Sequence, residues 1–280
     1  MKNIIKSNPI LFFIFYFLFI FLIHKVNLTG LLSSLGLSKI SAELLSKTIF
    51  NLVIISATFL LIHILGFKKI SGAFSLQFKF WYLYLAPFIY FYILSVDISK
   101  IYKIGSEIHS FLFVMFIIKS LSVGMLEEIL FRSLLQPLIL NKYIDIHSIF
   151  FCVLLTSILF GVVHIINIIN LNYSLIGVAS QVIMATGIGL FFGAISLKTQ
   201  NIYPIVVIHS VNHFFSHLPI VFIDKFPQIG SQPSNSTTLE ILASIVITFI
   251  IFGIPTIIPS WFIIKSIKVS EVKLALKSDN

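Results

Sequence analysis

Residues 124–138 read GMLEEILFRSLLQPL, and they continue an apolar run that extends from about Phe111 to Leu140. A charge at a bilayer centre costs roughly 2.5–3.5 kcal/mol on insertion scales, so charged residues at that depth point to function. On a helix, Glu128, Arg132 and Gln136 follow one another at i, i+4 and i+8 and line one stripe. Glu128 can therefore pair with Arg132 on its own helix. Glu127 is left about 100° round the helix with no local mate. A carboxylate without a counter-ion suits a general base. Arg132 is the sole arginine beside 18 lysines. That choice points to a need for the planar guanidinium fork.

Histidine supplies the other half of a reaction centre. His164 closes FGVVH (160–164), and HSVNHFFSH (209–217) puts His209, His213 and His217 on one stripe. Asn212 lies beside them. Histidines at i, i+4 can hold one water or one metal ion. His164, His209 and His213 together offer a ligand set for a divalent metal such as Zn2+. His24, His109 and His147 fall at the borders of apolar runs, and His63 reads as a core or interface residue.

Other intramembrane hydrolytic chemistries lack their residues. No GxSxG surrounds a serine, no aspartate lies inside an apolar run, and no histidine is followed by glutamate as in HExxH. Cys152 and His164 are twelve residues apart on one helix and cannot touch. Glutamate plus histidine remains. Glu127 would deprotonate a water, and the histidines would hold that water, or a metal bearing it, and stabilise the oxyanion.

The elements that must position these groups are membrane helices. Of the 280 residues, 58% are hydrophobic and 10% charged, far from a soluble composition. The expected fold is all-α, one polytopic membrane domain over 1–280. Eight apolar runs approach the ~20 residues of a span: Pro9–Ile23, Thr48–Phe67, Phe80–Val96, Phe111–Leu140, Ser148–Ile169, Ser174–Leu197, Ile202–Ile223 and Leu239–Ile264. Lys2 and Lys6 precede the first with no small-residue cleavage site after it, which reads as a retained span. With eight spans both termini share one side, and eleven lysines against six place that side in the cytoplasm. Lys119, inside the fourth run, counts for neither side. The net charge of +9 then marks topology and anionic lipid, with no nucleic acid as partner. A single cysteine excludes an intramolecular disulfide. Gly189 and Gly193 form a GxxxG pair suited to close helix packing, and Pro255 and Pro259 mark a kink without chemistry.

EEILFR (127–132), FGVVH (160–164) and HSVNH (209–213) resemble, in that order, the EExxxR, FxxxH and HxxxN signature of the CPBP family. That family comprises the type II CAAX prenyl endopeptidases and the bacterial Abi proteins of bacteriocin processing and immunity. The resemblance covers a core of about residues 111–217. It implies a helical intramembrane endopeptidase of the bacterial cytoplasmic membrane, acting on a peptide or small protein in or at the membrane. It implies Glu127 as the water-activating base, Glu128 and Arg132 as its supporting pair, and His164 and His209 as holders of the water and the oxyanion. His213 stands where the family has asparagine, and it exchanges an amide donor for an imidazole. That departure keeps open a peptide-binding immunity protein that does not cut, and the intramembrane glutamates and histidines by themselves also suit a transporter with a proton relay.

Overall fold

A computed structural model describes residues 2–95, 110–167, 175–222 and 238–277. All regular structure in them is helical. In chain order the helices are α1 (Lys2–Ser7), α2 (Pro9–Lys25), α3 (Thr29–Ser34), α4 (Lys39–Leu65), α5 (Leu85–Ser95), α6 (Ser110–Glu128), α7 (Gln136–Tyr143), α8 (Ile149–Val162), α9 (Leu175–Thr199), α10 (Tyr203–Phe222), α11 (Thr238–Thr248), α12 (Ile254–Lys265) and α13 (Val269–Lys277). The protein is an integral, multi-pass membrane protein of the all-α class. Among the described residues, five helical stretches are long and apolar enough to cross a membrane. The helices that carry the acidic residues and the histidine stripe, α6 and α10, are not among these five, so the expected count of eight is not reached on this measure.

The bundle turns apolar side chains outward. Phe15, Leu18 and Leu22 of α2 are exposed, as are Val246, Ile250 and Phe262 towards the chain's end. Lipid satisfies such a surface, and the helices keep their backbone hydrogen bonds internal. The buried interior centres on α6, α7, α8 and α9, with Ile129, Leu134, Leu138, Val153, Leu190 and Ala194 in one cluster.

Two irregularities shape the helices near this centre. Between α6 and α7 the chain continues as a π-helix, Ile129–Leu135, and all seven of its residues are buried. The wider i→i+5 turn is rare and is found often at functional sites. A second π segment, Phe249–Gly253, separates α11 from α12 just before Pro255, with Pro259 inside α12. The expected kink there is thus a π turn followed by prolines.

Glycine sets the closest approach. α9 packs along α8 more extensively than any other pair of helices. A methyl group at Gly189 would lie 3.1 Å from a Phe160 ring carbon, and one at Gly193 would lie 2.7 Å from both Val153 and the Gln136 amide oxygen. The expected close-packing role of this pair is met on α8 and on the start of α7. On α6, Gly124 faces Ser210 and Val206 of α10.

Polar links tie the outer helices to this centre. His24 Nε2 pairs with Asn51 Oδ1 (2.9 Å), and the Asn51 amide donates to Ser122 on α6 (2.9 Å). His63, expected as a core or interface residue, is instead exposed on the outside of α4. His109 and the ends of four expected spans lie outside the described residues. At the other end of the bundle, α1 and α13 both pack against α7. Lys273 bridges to Asp145 at 2.5 Å and holds that exposed carboxyl below its ordinary value, by hydrogen bond and by charge.

Candidate active site

The EEILFR stretch sits where α6 passes into the π-helix. Arg132 Nε donates to Glu128 Oε2 at 3.1 Å, and both side chains are fully buried. The expected i, i+4 pair therefore forms across the first π turn. Gln136, expected on the same stripe, turns away from the pair. Its amide nitrogen donates to the Gly193 carbonyl (3.1 Å) and joins α7 to α9.

Glu128 has a second partner that its own helix does not provide. His209 Nδ1 lies 2.7 Å from Glu128 Oε1. A carboxylate only accepts, so Nδ1 carries a hydrogen and donates it. The other face of the ring turns to Glu127, with Nε2 3.4 Å from Glu127 Oε2. Glu127, expected to have no mate on its own helix, finds one on α10 and is the outer end of a relay Glu127–His209–Glu128–Arg132. Its side chain is 29% exposed, against 14% for His209 and none for Glu128. The relay runs from a fully buried end to a partly exposed one.

Counting rise from the inner ends of the spans, at about 1.5 Å per residue, puts Glu127 about 20 Å deep and His209 about 10 Å deep. The structure brings them together because α10 does not begin at the bundle's surface. Asn201, Ile202 and Ile205 at its start are fully buried. The Asn201 amide donates to the Gln77 carbonyl (3.0 Å) and the Tyr203 hydroxyl to the Ala73 carbonyl (2.7 Å). The segment between α4 and α5 covers the start of α10 and sets its depth.

Phe160 connects the remaining pieces. Its ring lies 4.8 Å from the Arg132 guanidinium carbon. It meets His209 edge-on at 6.2 Å and His164 at 5.2 Å between centroids. The guanidinium thus pairs through Nε and lies against an aromatic face, while its Nη1 and Nη2 have no hydrogen-bond partner. α8 opens on the Ser148 cap, whose hydroxyl accepts from the Phe151 N–H (3.2 Å). It closes in a 3-10 turn, Val163–Ile166, that contains His164. His164 therefore stands in the 3-10 turn that follows α8. Its Nδ1 donates to the Phe160 carbonyl (2.9 Å), leaving Nε2 free as an acceptor.

His213 takes its partner from α6. Its Nε2 lies 3.2 Å from the Lys119 ammonium of α6. Its ring stacks on His217 at 4.0 Å and 11°. His217 Nδ1 donates to the His213 carbonyl (3.0 Å). Among the described residues no three His, Cys, Asp or Glu side chains are grouped to hold a metal ion. His164, His209 and His213 therefore do not form the expected ligand set. The physical reason is specific: the His213 ring nitrogen that faces the Lys119 ammonium does not also bind a cation. The residues present do not fit a metal, and no step below passes through one.

Lys119 was not singled out from the sequence beyond its neutrality in the lysine count. The available signal was its spacing. It precedes Glu127 by eight residues, two turns on the same side of α6. The role of the Phe160 ring was carried by the FGVVH motif but had no physical reason until the ring's neighbours were known.

A helical membrane protein with a carboxylate–imidazole relay that ends on a partly exposed glutamate has the groups for hydrolysis within a membrane. Residues 109–215, which hold every member of the relay, match the family described as Type II CAAX prenyl endopeptidase Rce1-like. That match supports a CPBP-family intramembrane protease, of the CAAX type in general. No curated protein and no solved structure matches the chain.

Proposed function

We propose that the protein is an endopeptidase that cleaves a peptide or small protein at the membrane by water attack, with Glu127 as general base. The observation that carries this reading is the shared ring of His209, with Nδ1 committed to Glu128 and Nε2 turned to Glu127 at 3.4 Å. When His209 is neutral, two acceptors face each other there, and a hydrogen must lie between or beside them. A water supplies it. The water's proton passes to the Glu127 carboxylate, and its oxygen forms a bond to the substrate carbonyl carbon. The carbonyl π electrons move onto oxygen. When the C=O bond re-forms, the C–N bond breaks, and the proton held by Glu127 goes to the leaving nitrogen. General acid–base catalysis of this kind contributes about 10²–10⁴-fold.

Glu128 and Arg132 act behind this step. Their mutual neutralisation makes a charged centre tolerable in a dry interior, and Glu128 fixes which nitrogen of His209 carries hydrogen. His164 offers Nε2 as a further acceptor for the water. A CAAX-type peptide is the first substrate class to try, because that is the family of the matching segment. The lysines that flank α1, α7 and α13 support a cytoplasmic side for both termini. The test uses the full chain in proteoliposomes with two fluorogenic peptides, one farnesylated with a CAAX end and one unprenylated but membrane-bound. Cleavage of either peptide is expected, and it stops with Glu127→Gln. Failure to cleave both would contradict an endopeptidase of this class.

A further inference from the structure

The proposed reaction leaves one requirement unmet. The oxyanion formed on the substrate carbonyl needs a hydrogen-bond donor. His209 spends its Nδ1 hydrogen on Glu128, and His164 spends its own on the Phe160 carbonyl. Neutral, both rings present Nε2 only as an acceptor.

His213, one turn beyond His209 on α10, has the opposite arrangement. A lysine ammonium carries three donors and no acceptor. Lys119, 3.2 Å from His213 Nε2, therefore makes that nitrogen the acceptor. The single hydrogen of the neutral ring must then reside on Nδ1. That nitrogen is buried and has no hydrogen-bond partner. The ring is not free to turn away, because it is stacked on His217, which is itself pinned to the His213 carbonyl. The contact also fits the packing of the two helices. Glu127 meets His209, Gly124 meets Ser210, Lys119 meets His213 and Phe116 meets Phe214, an antiparallel register along α6 and α10.

We propose that Lys119 is a positioning residue that fixes His213 as its Nδ1–H tautomer, so that the imidazole donates to the oxyanion where the family motif has an asparagine amide. This rests on the endopeptidase reading for its purpose but not for its geometry. Lys119 acts through His213 and sets which of its nitrogens bears the hydrogen. It also accounts for how histidine can stand at this position. Without the lysine, an imidazole here would be free to protonate Nε2 and turn a lone pair to the oxyanion.

Two measurements test it. The first reads the tautomer by long-range 1H–15N correlation on full-length protein labelled at histidine nitrogen, with His213 assigned through His213→Asn. The Nδ1–H pattern is expected in the unsubstituted protein and its loss or mixing in Lys119→Met. An Nε2–H pattern at the outset, or a pattern unchanged in Lys119→Met, overturns the proposal. The second is a double-mutant cycle on peptide cleavage. Lys119→Met should lower kcat by up to about 10²-fold, the cost of one oxyanion donor, with KM little changed. In the His213→Asn background the same substitution should cost less than about twofold, because an amide needs no tautomer fixed. Equal losses in both backgrounds overturn it. If the unsubstituted chain cleaves nothing, the endopeptidase reading fails while the tautomer measurement still decides the role of Lys119.

Discussion

Glu127 and Glu128 are neighbours in sequence with different work to do, and substitution should separate them. Glu128 and Arg132 are fully buried partners. Removing one leaves the other charged and unpaired, which costs about 3–5 kcal/mol. Arg132→Met is therefore expected to lower the thermal unfolding midpoint sharply or to abolish folded yield in detergent. Arg132→Lys should rescue only part, since an ammonium cannot both bond Glu128 through Nε and lie flat on the Phe160 ring. Glu127→Gln should leave the midpoint nearly unchanged, because that side chain is part-exposed at the relay's end. The Glu–Arg pairing could be read from i, i+4 spacing alone. The bridging by His209 could not, because it depends on the relative depth of two helices 81 residues apart in the chain. The expected metal set failed for the same kind of reason: spacing put His209 and His213 on one stripe, but Lys119 on another helix had already claimed His213.

At the scale of elements, the site is held by close packing of α8 and α9 and by the π turn after α6. Gly193 is one tight point, with Gln136 and Val153 where its side chain would lie. Gly193→Leu should push α9 off α7 and break the Gln136 bond to the Gly193 carbonyl. Overpacking of this kind costs about 1–3 kcal/mol. The expected result is a lower melting temperature together with loss of cleavage, since α8 carries both Phe160 and His164. Gly193→Ala should show the same trend in smaller measure. The glycine pair was legible as close packing because small residues at i, i+4 have few other uses in an apolar helix. The π turn was not legible. Nothing in ILFRSLL departs from helical pattern, and the wider turn forms in a segment buried throughout. The depth of α10 was hidden too, because it is set by the segment between α4 and α5 and not by the apolar run itself.

Across the whole molecule, α1, α13 and the turn after α7 gather at one end of the bundle, with Lys273 tied to Asp145. Both chain ends should therefore face the same compartment. In a Cys152→Ala background, single cysteines at Lys2 and Lys277 should react with an impermeant maleimide from the same side of oriented vesicles. Reaction from opposite sides would contradict the arrangement. The all-α membrane class was plain from composition, whereas the number of crossings was not, since two helices that hold the site, α6 and α10, fall outside the five stretches long and apolar enough to cross. The most direct test of the central claim is the rate of peptide cleavage by the reconstituted full chain with and without Glu127→Gln. The account predicts a loss of at least about 10²-fold in a protein that melts at the same temperature and elutes at the same size. Cleavage by Glu127→Gln at the unsubstituted rate would contradict it.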